Sequence, residues 1–322
     1  MSLKNLTNNK MGKKLNFSFD VSSLSTYTNE LDPNLIQEKI MDSASMSLFN
    51  KYPTKTGTNK LNLIDVTSWM QDSTCGLSES GSTTLSQQTL TVEDISIVKS
   101  YCSKDLFNYW ASQFMSGKFD DLGSLNAQII EAELKRLADI NEVAIWQSED
   151  GGSGGANLDK FDGIIETLSG QSCVEVLGAT GVTEALIDDS VTQMIKAVPE
   201  AIKQDENLYL FMSPANFQTL SKKYLDTYKY NTSLLSYDVD KFEMRAPEMP
   251  NLRIKGVRGL SGSDKFILTS TDNVYVGASE GDEIDSKWEY DNIARKHYFF
   301  VDYLMGVQVA RANYTVVNFE TV

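Results

Sequence analysis

The chain has 322 residues, 41% of them hydrophobic and 23% charged, so it can bury the core of one large domain or two modest ones, and general disorder is excluded. Its 44 acidic against 29 basic residues give a formal charge of −15, a balance that repels polyanions and disfavours dedicated nucleic-acid binding. Cys75, Cys102 and Cys173 form no CxxC pair and suit reduced thiols, residues 1–10 lack the apolar core of a signal peptide, and the apolar run 298–305, broken by Asp302, is too short to span a bilayer.

The first thirty residues, rich in Asn, Ser, Thr and Lys, hold no sustained period and read as an extended arm. Asp32-Pro33 then starts a short amphipathic helix carrying Leu35, Ile36, Ile40 and Met41, with the proline where its missing N–H costs nothing. Residues 51–101 change character. Leu61, Leu63, Val66 and Trp69 precede a Ser/Thr/Gly-rich middle, and Leu90, Val92, Ile95, Ile97 and Val98 follow it, the pattern of a long two-stranded protrusion with a polar tip. An isolated hairpin is marginal in water, so this one must rest on its own subunit or on a neighbouring chain.

The best helix lies over 124–147, where Ser124 is placed to cap and Ile130, Leu134, Leu137, Ile140 and Ala144 recur at steps of three and four. At 1.5 Å per residue it is about 35 Å long, and Glu131 with Lys135 adds an i,i+4 pair. The glycine-rich run 151–155 marks a junction. A second helix is predicted over 188–202, carrying Val191, Ile195, Val198 and Ile202, with Asp188 and Asp189 at its positive end. Residues 207–212 then form a short strand, and Ser213-Pro214 supplies a capping hydroxyl and a first-turn proline for a helix over 214–225. Short β runs over 253–257, 265–269 and 274–276 lead to the clearest strand, in which Phe299, Val301, Tyr303, Met305, Val307 and Val309 alternate without a break. The fold class is α+β.

The inventory of chemistry is thin. His297 is the only histidine, which excludes a His-rich zinc site, and its place at the start of a strand beside Lys296 gives it a structural reading. No phosphate-binding GxxxxGK[ST] occurs, and the segment 76–81 does not match the G-x-S-x-G nucleophile elbow. Glu280, Asp282, Glu283 and Asp285 offer a hard cation oxygen ligands, but their spacing fits no EF-hand and favours a solvated turn. Trp69, Trp110, Trp146 and Trp288 are dispersed, as core or interface anchors are, and not grouped as a base-stacking platform. No cofactor, metal or catalytic group is implied.

The order of elements, from arm through short helix, polar β-protrusion, long helix, glycine hinge and mixed region to closing strands, resembles the Hong Kong 97-type capsid subunit of tailed phages. The resemblance is carried by 252–259, by Asp272-Asn273-Val274-Tyr275-Val276-Gly277, by 299–310 with its Gly-Val-Gln-Val-Ala, and by the strand, Ser213-Pro214 and helix through Phe217 and Leu220. All are packing signatures. It implies an N-terminal arm over 1–30, a short helix of the peripheral region over 31–50, an extended β-hairpin loop over 51–101, a spine helix and peripheral domain over 102–181, an axial domain over 182–271 and closing strands of the peripheral domain over 272–322.

It further implies a structural protein, not an enzyme: a major capsid protein that self-assembles as hexamers and pentamers into an icosahedral phage head, assembled in the host cytoplasm. Such a shell encloses double-stranded DNA without sequence-specific binding and without a membrane, with portal, scaffold or decoration proteins as further partners. Trp69, Met70 and Leu77 on the protrusion are the candidate intersubunit contacts. The N-terminus is too short for the scaffolding-like segment that some relatives cleave off, and no motif marks a covalent crosslink, so Lys60 and Asn292 are assigned none. The alternatives are an encapsulin-like compartment of the same fold, another virion or tail structural protein, and a hydrolase with an unrecognised site.

Overall fold

The computed structural model describes residues 45–54, 57–67, 81–106, 108, 122–152, 155, 157–176, 186–227, 237–238, 242–278 and 285–321. In chain order the strands and helices are β1 (Asn50–Pro53), β2 (Gly57–Thr67), β3 (Ser82–Cys102), α1 (Leu122–Gln147), α2 (Ile164–Ser169), β4 (Val174–Glu175), α3 (Ile187–Ala197), β5 (Leu208–Met212), α4 (Pro214–Thr227), β6 (Tyr237–Asp238), β7 (Glu243–Ala246), β8 (Met249–Gly256), β9 (Ile267–Ser270), β10 (Val274–Ala278), β11 (Asp285–Asp291), β12 (Lys296–Val309) and β13 (Val316–Val317). Among the described residues, no helix is long and apolar enough to cross a membrane.

Two sheets organise the molecule. The first runs β1-β10-β12-β3-β2, with β11 also on β12; the second runs β4-β13-β9-β5-β8-β7-β6. Strand β12 organises the first sheet. One edge pairs antiparallel with β3 over 296–305, and the other takes β11 over 296–302 and β10 over 305–309. The alternation seen in the sequence puts Phe299, Val301, Met305, Val307 and Val309 against Leu134, Leu137, Ile145 and Trp146 of α1. Each such buried side chain contributes about 1.5–3 kcal/mol. From Tyr303 onward the opposite face of β12 is buried as well, because Leu304 packs with Leu61, Leu90 and Val92 of the hairpin.

The second sheet is covered by α3 and α4, whose Val191, Met194, Phe217 and Leu220 meet Leu208, Leu210, Met212 and Ile254. Its centre, β5, pairs parallel with β8 and antiparallel with β9, and all five of its residues are buried, as a two-faced central strand requires. Phe211 and Phe49 pack against Trp146 at ring distances of 5.0 and 5.7 Å, which ties β5 to α1.

A paired polar group lies under α1. Glu142 accepts hydrogen bonds from the Ser45 amide at 3.0 Å and the Ser45 hydroxyl at 2.6 Å, and the Trp146 indole N–H donates to that hydroxyl at 2.8 Å. Breaking such a buried network leaves a desolvated carboxylate, so these three residues hold the entry of the described chain against the helix.

Several sequence expectations shift. Helix α1 begins at Leu122, two residues before the expected capping serine, Ser124, and Ile130 and Ile140 are only half-buried. Helix α3 stops at Ala197 and not at Ile202, because Pro199 forces Val198 into extended backbone; Leu186, with no side-chain bond, occupies the cap position expected for the aspartates. Within 51–101, β1 is a separate strand parallel to β10, and the hairpin proper is β2 with β3. At Ser213-Pro214 the expectation holds, the Asn216 amide donating to the Ser213 hydroxyl at 3.3 Å. The helix expected after Asp32-Pro33 lies outside the described residues.

Candidate intersubunit surfaces

The hairpin is built by one strand with two partners. Over 93–102, β3 is a sheet strand on β12; over 82–92 it leaves that sheet and pairs only with β2, Gly57 opposite Val92 and Thr67 opposite Ser82. Its departure needs a saddle, which two glycines provide. Gly277 and Gly306 are direct partners across β10 and β12, and a Cβ on Gly306 would lie 2.1 Å from the Thr91 carbonyl oxygen, one on Gly277 2.7 Å from Val92 Cγ2. Only glycine lets the backbone of β3 cross this closely.

Past the saddle the two faces of the hairpin differ. Leu61, Leu90 and Val92 are buried over Leu304. Arg311 secures the same region, donating to the Ile64 carbonyl at 3.1 Å and pairing with Asp65 at 2.8 Å. On the other face Ile64 sits directly opposite Leu85, with Val66 two residues on, and they are 59%, 75% and 63% exposed. A cross-strand apolar pair left in water is what a second surface would cover. The sequence carried a signal for it. The apolar phase slips from 61 and 63 to 64 and 66, and from 90 and 92 to 85, so both faces receive apolar residues. Ile64 and Leu85 were not singled out from sequence. Trp69, Met70 and Leu77, which were, lie outside the described residues, as do Cys75, Trp110, Glu280, Asp282 and Glu283.

The remaining candidate groups are packed into structure. His297 is 6% exposed, its ring 5.6 Å from Trp288 and 4.8 Å from Tyr290, and Nδ1 has no hydrogen-bond partner among the described residues. Burial pushes its pKa below the ordinary imidazole value, so the neutral ring is favoured. Nearby, Tyr101 donates to Glu133 at 2.6 Å and Lys99 pairs with the same carboxylate. Burial raises the Glu133 carboxyl, but the bonds from Lys99 and Tyr101 and the charge of Lys99 outweigh it and hold it below the usual range. Burial, then the charge of Glu175, pushes the Cys173 thiol up to about 11, which leaves it protonated and unreactive at neutral pH. Trp146 and Trp288 are buried core anchors. Among the described residues no three histidines, cysteines or carboxylates group to hold a metal ion; Asp285, from the acidic cluster, pairs in register with Asp302.

No family model matches the chain, and no curated protein matches it by sequence. Solved structures do match in fold. A chain of the satellite phage P4 procapsid including size determination (Sid) protein aligns over 97% of this chain and 99% of its own, with a TM-score of 0.58 at 14% identity. The capsid of an empty GTA particle aligns over 87% and 90% with a TM-score of 0.58 at 10% identity, and a Gordonia phage Cozz chain over 85% of each with 0.52 at 16%. These likenesses cover 85–97% of the chain, which therefore has the Hong Kong 97-type fold of phage capsid subunits.

Proposed function

We propose that the chain is a major capsid protein, a structural subunit that assembles with copies of itself into a closed phage head around double-stranded DNA. The observation that carries this reading is the hairpin: its base is locked onto its own subunit by the Gly277/Gly306 saddle and Arg311, while Ile64, Val66 and Leu85 are presented to solvent. Covering such residues stabilises a contact by about 25 cal/mol per Å² of apolar area. Each contact is weak enough for errors to dissociate and strong in sum once a ring closes. The charge of −15 gives a wall that does not trap DNA.

In this reading residues 1–30 are the arm, 31–50 the short peripheral helix, 51–101 the extended loop, 102–181 the spine helix and peripheral domain, 182–271 the axial domain and 272–322 the closing peripheral strands. Hexamers and pentamers are the assembly units, the role is structural and not enzymatic, and Trp69, Met70 and Leu77 extend the contact surface of the loop.

Sedimentation velocity of the purified chain over a concentration series tests the proposal. The intact chain is expected to form large closed particles, and a chain whose residues 62–87 are replaced by Asn-Gly is expected to remain small and folded. A strictly small intact species at high concentration, in salt that screens the charge, would overturn it. Particles that hold protein cargo and never DNA would point instead to an encapsulin-like compartment, and open helical stacks to a tail component.

A further inference from the structure

The distal hairpin meets its own subunit at two places. One is the saddle, where Thr91 and Val92 cross Gly306 and Gly277. The other is Arg311, which reaches Ile64 and Asp65, seven and eight positions along β2 from Gly57, the partner of Val92. At 3.3 Å per residue the two supports stand about 23 Å apart along the strand. A strand held at one point can pivot; held at two, it has one direction.

Arg311 is itself held at the junction of the two sheets. The chain crosses from the second sheet to the first over 271–273, between β9 and β10, and returns over 310–315, between β12 and β13. Asn273 ties the two crossings together. Its Oδ1 accepts from the Arg311 amide at 2.8 Å, and its Nδ2 donates to the Arg311 carbonyl at 2.8 Å. The hydroxyls of Thr269 and Thr315, buried and 3.1 Å from each other, each lie 3.3 Å from that nitrogen. The Asn273 carbonyl accepts from the Ala310 amide at 2.9 Å. With its backbone fixed in this way, Arg311 turns Nη2 to the hairpin, donating to the Ile64 carbonyl at 3.1 Å and pairing with Asp65 at 2.8 Å. The pair with Asp65 is partly solvated, the side chains being 31% and 55% exposed, so it adds little to subunit stability. Its effect is directional.

We propose that Arg311 is a positioning residue that sets the angle of the hairpin, and that Asn273 ties that angle to the arrangement of the two sheets. The direction in which Ile64, Val66 and Leu85 face a neighbouring copy, and with it the curvature of the shell, then follows from the sheet junction. A ring closes only when successive copies meet at one angle. The curvature rests on the shell reading; the angle does not.

The test uses the full chain with nitroxide labels attached through p-acetylphenylalanine at two exposed positions, Ser86 on the hairpin and Glu206 beside β5. Distances measured by double electron–electron resonance in dilute, unassembled protein read the hairpin angle, and circular dichroism controls for folding. A narrow distribution is expected with Arg311 in place, and one about twice as broad in Arg311→Met, because the freed hairpin moves about the saddle. Asp65→Arg should broaden it as well, and Arg311→Asp in the same chain should narrow it again. On concentration, the labelled parent chain is expected to give particles of one diameter and R311M a spread of diameters at an unchanged melting temperature. A narrow distribution in folded R311M and D65R overturns the positioning role and leaves the shell reading standing. Particles of one diameter from R311M with a broad distribution overturn the link to curvature. The expected distances from a chain that forms no particles support the positioning role and overturn the shell reading.

Discussion

Strand β5 and the distal half of β3 show two ways for one chain to use apolar residues. In β5 every side chain from Leu208 to Met212 is buried and both edges are paired, so its interactions are complete within a single copy. Distal β3 has one paired edge, on β2, and is buried only at Leu90 and Val92, where it crosses the glycine saddle. Its Leu85 and the facing Ile64 have nothing described over them. The first region stabilises the subunit; the second is incomplete until another surface covers it.

That contrast predicts that changes to the two regions separate into assembly and stability effects. The largest effect is expected from replacing residues 62–87 with Asn-Gly. Assembly, followed by sedimentation, should be lost while the melting temperature stays within a few degrees, because Leu61, Leu90 and Val92 are retained. Next, Phe211→Ala removes a ring packed against Phe49, Trp146 and Tyr209 and should cost about 3–5 kcal/mol in urea unfolding. Gly306→Val, which drives a side chain into the Thr91 carbonyl, should cost about 1–3 kcal/mol and impair assembly too, since the saddle belongs to both regions.

Acid should act on the end of the first sheet away from the saddle, where His297 pairs with Tyr101 and Glu133 bonds Tyr101 and Lys99. The pKa of His297 is lowered in the folded state, so its contribution is fully present above the ordinary imidazole value of about 6.5 and is lost as pH falls through the lower folded value. Glu133, also lowered, loses its contribution below about pH 4.3 by the same sign. The urea midpoint should therefore fall between pH 7 and 5, and less so in His297→Phe. The smallest stability effect is expected from Ile64→Ser with Leu85→Ser: within about 0.5 kcal/mol for the subunit, as for other solvated positions, together with a raised assembly concentration.

The parts legible in the sequence were those whose signal is local. The unbroken alternation through β12 and the strand, Ser213-Pro214 and helix of β5 and α4 appear as read, and the stripe of α1 does so at Leu134, Leu137 and Ala144, because period and capping chemistry act over a few residues. What escaped depends on distant partners. Glu142 looks like a solvated helix residue until Ser45, 97 positions away, is placed against it. Likewise Gly277 and Gly306 look like ordinary strand glycines until their pairing shows where β3 crosses. The exposed pair Ile64 and Leu85 was visible only as a phase slip, while Trp69, Met70 and Leu77 lie outside the described residues.

Cryo-electron microscopy of the concentrated, assembled chain tests the central claim most directly. Closed icosahedral particles are expected, in which the distal hairpin, at Ile64 and Leu85, is covered by a neighbouring copy. Monomers, open tubes, or closed particles with that pair still facing solvent would contradict it.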